Sequence, residues 1–221
     1  STLYNMTFSA TEIRAIIFDY GNTLVEFGPK QTHFCDNAIA EAVSRLYGPP
    51  DLDKLRAIRD RNRLAPYAGN PPEYRENDLR EITSDLIREL HELEPSDEDL
   101  ESVLRARFDA FVNCIDVDGD VRAMLERLHQ RYRLGLLSNY PDGESIRASL
   151  RKIGVDKHFD AVVVSGDLGR VKPHPLPFST ILRELDSAPS QTVFVGDNWL
   201  ADIQGAKKSK LWAVLTKQYV P

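Results

Sequence analysis

The sequence predicts an α/β fold: a doubly wound, mostly parallel sheet with a helical module inserted after its first strand. Three observations carry this. Five short apolar runs, at 15–18, 134–137, 161–164, 192–195 and 212–215, read as buried strands. Amphipathic stretches separate the last four, and apolar strands alternating with helices argue a sheet covered on both faces. The long gap from about Phe27 to Cys114 holds no clear strand and carries three apolar stripes at helical spacing.

The first run, Ala15-Ile16-Ile17-Phe18, leads directly into Asp19-Tyr20-Gly21-Asn22-Thr23. An acid at the end of a buried strand stands at the mouth of the sheet, where parallel sheets build their sites. Burying a carboxylate there is costly unless a metal, a cation or hydrogen bonds receive it. In the inserted module, Phe34, Ala38, Ala42 and Leu46 follow i, i+4 spacing beside Ile39 and Val43, and Gly48-Pro49-Pro50 stops that helix. Leu79, Ile82, Leu86, Leu90 and Leu93 make a second stripe. Ser96-Asp97-Glu98-Asp99 starts a third, through Leu100, Leu104, Phe108 and Phe111. Residues 61–72 between them read as a loop, in which Arg61, Arg63 and Tyr67 are either an ordinary polar face or readers of a substrate. The module is attached where a lid over the sheet edge belongs. Beyond it, 121–128 and 176–185 have helical spacing.

A chain of 221 residues buries a good core and holds one domain, or one domain with an insertion. Its formal net charge of -6 supplies no field that would draw nucleic acid or an anionic membrane, and neither is expected as a partner. No apolar run is long enough to span a bilayer. The start, Ser1-Thr2-Leu3-Tyr4-Asn5, lacks the basic-then-apolar pattern of a signal peptide and reads as an addition ahead of a natural start at Met6. Cys35 and Cys114, few and far apart, read as two reduced thiols of a cytoplasmic protein.

Each of the first four strands is followed by a candidate for chemistry. Asp19 follows the first, Ser138-Asn139 the second, Lys172 within Gly169-Arg170-Val171-Lys172-Pro173-His174-Pro175 the third, and Gly196-Asp197 with Asp202 the fourth. Asp19, Asp197 and Asp202 at one mouth would repel one another. A hard divalent cation resolves that, and Mg²⁺ commonly takes one or two carboxylates, waters and a phosphate oxygen. Lys172 adds a fixed positive charge and Ser138 a hydroxyl donor. A dianionic phosphoryl group fits the vacancy, with Asp19 placed as nucleophile.

The order Asp-x-x-x-Thr, Leu-Leu-Ser-Asn, Lys-Pro-x-Pro-x-x-Phe, Val-Gly-Asp-x-x-x-x-Asp resembles the haloacid dehalogenase-like hydrolase superfamily over nearly the whole chain. The resemblance implies a Rossmann-like core over 11–27 and 115–221, a helical cap over 28–114, Mg²⁺ as cofactor, and a phospho-aspartyl intermediate that water hydrolyses. It implies Asp19 as nucleophile and metal ligand, the Gly21 carbonyl as a further ligand, and Asp197 as a direct one. Asp202 serves directly, through water or through Lys172. Ser138 and Lys172 would hold phosphate oxygens, with Thr23 and Asn139 as weaker substrate contacts. The implied substrate is a small phosphorylated metabolite, such as a sugar phosphate.

Gly21 departs from the pattern. Phosphatases of this kind usually carry a second Asp there as general acid and base, and its loss typically costs about 10²–10⁴-fold in rate. Two other activities stay open: carbon–phosphorus cleavage through a Schiff base, for which Lys30 is the nearby lysine, and a phosphate-binding regulatory protein with little turnover. Monomer and homodimer are equally open. His33 reads as a solvated helix-start residue or a replacement proton source. His174 reads as structural, Tyr20 as packing away from the site, and Trp199 as pocket wall or simple packing.

Overall fold

The computed structural model describes residues 8–219, so the expectations for the first five residues and Met6 lie outside the described residues. β1 (Ala15–Phe18), β2 (Arg133–Ser138), β3 (Ala161–Val164), β4 (Thr192–Gly196) and β5 (Trp212–Leu215) form one parallel sheet in the order β3-β2-β1-β4-β5. The chain winds outward from β1 to β3, then returns past β1 to β4. That reversal leaves a crevice at the carboxyl ends of the central strands, where open α/β sheets take ligands.

Register decides what meets in the crevice. Phe18 pairs with Leu136 on one side and Val195 on the other. The Asp19 amide continues the ladder to the Val195 carbonyl at 2.9 Å. Asp19 therefore leaves the sheet level with Leu137 and Gly196, one residue short of Ser138 and Asp197.

Between β1 and β2 run α1 (Pro29–Tyr47), α2 (Leu52–Leu64), α3 (Leu79–His91) and α4 (Asp97–Cys114). They close around an apolar cluster of their own, with Ile39 and Val43 of α1 against Leu55 and Ile58 of α2, Ile87 of α3 and Val103 of α4. Ser96 caps α4 by accepting from the Asp99 amide at 3.1 Å.

Two expectations need correction here. Residues 61–64 are not loop but the last turn of α2. This helix has few apolar residues to announce it. Its inward face also presents Arg56 and Arg59 to Asp36, a carboxylate of α1 that is 2 % exposed. Pairing across two helices does the work that an apolar stripe would have signalled. Phe34, read as part of the α1 stripe, is 50 % exposed, while Ile39, Ala42 and Val43 supply the buried contacts.

Either side of the sheet is covered. Ile16 and Phe18 pack towards α5 (Gly119–His129) and α6 (Gly143–Ile153). Beyond β3 come α7 (Ser165–Leu168), α8 (Pro175–Glu184) and, after β4, α9 (Gly205–Lys208). Ala15 and Ile17 face α8 and α9 through Phe178, Ile181 and Ala206. This alternation follows from the two-residue pleat.

Candidate active site

The turn after β1 sets Asp19. The amides of Thr23, Leu24 and Val25 all converge on the Tyr20 carbonyl at 3.2, 2.9 and 3.3 Å. Asn22 takes the left-handed conformation, φ 59°, and its side chain accepts from the Phe27 amide at 3.0 Å. Asn tolerates that conformation better than most residues. Among the described residues the Gly21 carbonyl accepts no hydrogen bond. The Tyr20 side chain runs the other way and meets Ser149 Oγ at 2.8 Å.

Asp19 is 8 % exposed. Its Oδ2 accepts from Thr23 Oγ1 at 3.1 Å and its Oδ1 from Lys172 Nζ at 2.7 Å. The same ammonium donates to Asp202 Oδ1 at 2.7 Å and to the Leu137 carbonyl at 2.9 Å. Its three donors are thus all taken. Lys172 itself is clamped by Asn139, whose Oδ1 accepts from the Lys172 amide at 2.8 Å and whose Nδ2 donates to the Lys172 carbonyl at 3.1 Å.

After β4 the chain passes into a π-helical turn, Trp199–Gln204. The cap is Asn198, which accepts from the Ala201 amide at 2.8 Å. Asp202 lies inside the turn, is 1 % exposed, and points back to Lys172 and to the Asn198 amide at 2.9 Å. Gly196 makes room for it, because a Cβ at that position would collide with the Asp202 carboxylate.

Asp19, Asp197 and Asp202 present carboxylate oxygens within 4.8 Å of one another. Three carboxylates share one ammonium, and the charges show the imbalance. Burial pushes Asp19 above the usual carboxylate range despite the pull of Lys172. It pushes Asp197 up too, with Asp202 adding to the effect. Asp202 is pushed up to about 6, burial outweighing Lys172. Burial disfavours the Lys172 charge, yet Asp19 and Asp202 more than restore it and the ammonium is held above its ordinary range. A divalent cation matches such a donor set of hard oxygens with surplus negative charge, and the uncommitted Gly21 carbonyl lies on the same turn.

Other sequence candidates fall inside and outside this cluster. Ser138 ends β2, buried, one residue beyond the position level with Asp19. His174 caps α8 through Nδ1, accepting from the Leu176 amide at 3.1 Å, and burial lowers its pKa. His33 and Lys30 are exposed at the start of α1, and Trp199 is 57 % exposed. Arg61 forks onto Glu89 within the helical insertion, and Arg63 is exposed.

Tyr67 differs from those two arginines. Its hydroxyl donates to the Lys172 carbonyl at 3.3 Å and accepts from Asn139 Nδ2 at 3.0 Å, so the insertion reaches the lysine clamp itself. A neighbouring segment docks on the same loop. The Val171 amide bonds to the Tyr74 carbonyl at 2.8 Å, the Glu76 amide to the Gly169 carbonyl at 3.1 Å, and Ser165 Oγ donates to Glu76. Glu76 and Ser165 carried no local signal, because their meeting exists only across the seam between insertion and sheet.

Comparison with known proteins agrees with this geometry. Residues 13–210 match the family model described as haloacid dehalogenase-like hydrolase. The N-acylneuraminate-9-phosphatase of Homo sapiens is 38 % identical over 96 residues, 43 % of this chain and 38 % of that protein. The match thus spans about two fifths of that relative's length. Phosphoglycolate phosphatase of Salmonella typhi is 28 % identical over 215 residues, covering 88 % of this chain and 77 % of that protein. Among solved structures, 2-haloacid dehalogenase from Pseudomonas syringae superposes with TM-score 0.69 at 22 % identity, covering 93 % of this chain and 86 % of that one. The HAD-hydrolase YfnB from Bacillus subtilis, bound to magnesium, gives 0.68 at 18 % identity, covering 95 % and 92 %. Both structural likenesses establish the fold, and the family match runs through every one of the four segments that meet at Asp19. The chain belongs to the haloacid dehalogenase-like hydrolase family.

Proposed function

We propose that this protein is a cytoplasmic, Mg²⁺-dependent phosphatase acting on a small phosphorylated metabolite, with 28–114 as a helical cap over the site. One observation carries it: the carboxylates of Asp19, Asp197 and Asp202 come within 4.8 Å of one another at the carboxyl end of β1, and the buried pair Asp19 and Asp202 shares the Lys172 ammonium. The curated relatives named as phosphatases support the same reaction class.

Asp19, Asp197 and the Gly21 carbonyl would hold Mg²⁺ directly, and Asp202 directly or through water. When bound, the cation supplies charge that offsets the carboxylates and the incoming phosphoryl group. Asp19 attacks phosphorus in line, the bond to the leaving oxygen breaks, and the phosphoryl group is carried as an acyl phosphate on Asp19. Water then attacks that phosphorus, releasing phosphate and restoring the carboxylate. Lys172 and Ser138 hold phosphoryl oxygens. Since all three Lys172 donors are committed, a phosphoryl oxygen replaces one of its present acceptors. Thr23 steadies the Asp19 carboxylate. Asn139 acts by fixing the Lys172 backbone, and Tyr67 extends that clamp to the cap.

Phosphate release from an aryl phosphate, with Mg²⁺ and with chelator, tests this function. Release that ignores chelation overturns it. Metal binding has a separate readout. Ligand at a hundred times its Kd adds about 2.7 kcal/mol, or about 5–10 °C in Tm for a chain this size. The gain should shrink between pH 7.5 and 5.5. The Asp202 pKa is raised by folding to about 6, so the metal-free folded state takes up a proton as pH falls and is stabilised by it. Cation and proton compete for that carboxylate. Equal Mg²⁺ shifts at both pH values would remove Asp202 from the metal site.

Gly21 leaves the leaving group without the usual proton donor. A Cβ there would lie 3.3 Å from Phe27 Cβ, so Gly21→Asp fits after a shift of a few tenths of an ångström. That variant is expected to speed alkyl phosphate hydrolysis by about 10²-fold, the lower end for general acids. Aryl phosphate, whose leaving group needs little protonation, should gain far less. If the folded variant gains equally on both substrates, or on neither, proton supply is not what limits the native enzyme.

A further inference from the structure

Cys35 and Cys114 are 79 positions apart in the chain and 3.8 Å apart at their sulfurs. Cys35 sits in the second turn of α1, and Cys114 is the last residue of α4. The two helices meet here at the end where the chain enters the insertion and leaves it. Both thiols are free and half-buried, so a small oxidant reaches them while the surrounding helices hold them together. Cys114 also packs on the apolar cluster that contains Tyr20, the neighbour of Asp19.

We propose that this dithiol is a redox modification site, which a peroxide converts to an intramolecular disulfide stapling α1 to α4 beside both crossings. The Cys114 thiolate attacks one peroxide oxygen. The O–O bond breaks, one water leaves, and Cys114 becomes a sulfenic acid. The Cys35 sulfur then attacks the Cys114 sulfur, the S–O bond breaks, and a second water leaves. Two thiols lose two electrons and two protons, and one peroxide is reduced to two waters.

The Lys152 ammonium, fixed at the end of α4, favours Cys114 as the attacking sulfur, while burial disfavours the Cys35 thiolate. The Lys152 ammonium is anchored at the spot by the Asn113 carbonyl at 3.2 Å and the Ile115 carbonyl at 2.5 Å. Disulfide formation needs the sulfurs to close to about 2.05 Å, a movement within reach of side-chain rotation. The product closes a loop over residues 35–114, most of the insertion, which restricts the unfolded chain. None of these groups takes part in phosphoryl transfer, so the site stands independently of the proposed activity.

The test uses the native full chain, one equivalent of hydrogen peroxide, and alkylation after denaturation. The expected product has lost both free thiols and two hydrogens in mass. It links the Cys35 peptide to the Cys114 peptide, reverts with dithiothreitol, and melts several degrees above the reduced protein. Cys35→Ser should stop at a Cys114 sulfenic acid that dimedone traps, and Cys114→Ser should give no cross-link. The proposal is overturned if the native thiols survive peroxide that oxidises the urea-unfolded chain. It is equally overturned by disulfides that join separate chains, or by a cross-linked protein that melts no higher than the reduced one.

Discussion

Asp19→Asn is expected to abolish phosphate release from an aryl phosphate in the presence of Mg²⁺, a fall of roughly 10⁴–10⁶-fold, as for deletion of other enzymic nucleophiles. The amide keeps the shape of the carboxylate, with its oxygen accepting from Lys172 and its nitrogen donating to the Thr23 hydroxyl, but it cannot form the acyl phosphate. Stability should move the other way from activity. Asp19 sits buried with a raised pKa, and Asp202 remains as a partner for Lys172. Neutralising one of three crowded carboxylates relieves repulsion, so the metal-free variant should melt no lower than the wild type. Retained turnover in a folded variant would show that Asp19 is not the nucleophile. A large loss of stability would show that its charge holds the fold rather than the reaction.

Lys172→Met is expected to have the largest effect on stability. Lys172 is 1 % exposed and, among the described residues, is the only ammonium bonded to both Asp19 and Asp202. Removing it leaves two buried carboxylates without their cation, a change that typically costs about 3–5 kcal/mol. The loss carries a pH signature. Both carboxyls already have folded pKa values above those of exposed acids, and losing the ammonium raises them further. The folded variant therefore binds protons that its unfolded chain does not, and it regains stability as pH falls, over a window that opens above about 6. Urea denaturation at pH 8 and pH 5.5 reads this directly. A deficit that is the same at both pH values would locate the cost in packing against Phe194, whose ring lies 5.2 Å from Nζ, rather than in charge. Turnover should fall to background at either pH.

Much of the candidate site was legible because most of its parts are local. Asp19, Ser138 and Asp197 stand at or just after apolar runs, and a strand that ends in a polar residue delivers it to the sheet edge whatever the rest of the chain does; Lys172 follows β3 only after the short helix α7. Three of the five strands have the bounds expected from their apolar runs, while β2 adds Arg133 and Ser138 at its ends and β4 adds Gly196. The helices α1, α3 and α4 could be read because each buries apolar residues at a regular spacing. What could not be read depends on partners far away in sequence. Helix α2 hides its register in Arg56 and Arg59, which are meaningful only opposite Asp36. Asn198 rather than Asp202 caps the π-helical turn, because Lys172 draws Asp202 inward.

By itself the sequence determined a parallel α/β sheet with a helical insertion after the first strand, and an acid-rich centre built on its strand ends. Period-two and helical patterns of apolar residues encode those features within a few residues of one another. Tertiary structure alone decided that Tyr67 and Glu76 of the insertion lock onto the lysine loop. It alone brought Cys35 against Cys114. It also showed that a side chain at Gly21 would press on Phe27. Each of these joins residues separated by a turn, a helix or the whole insertion. Such contacts are fixed by how packed elements meet in space, and no local pattern carries that.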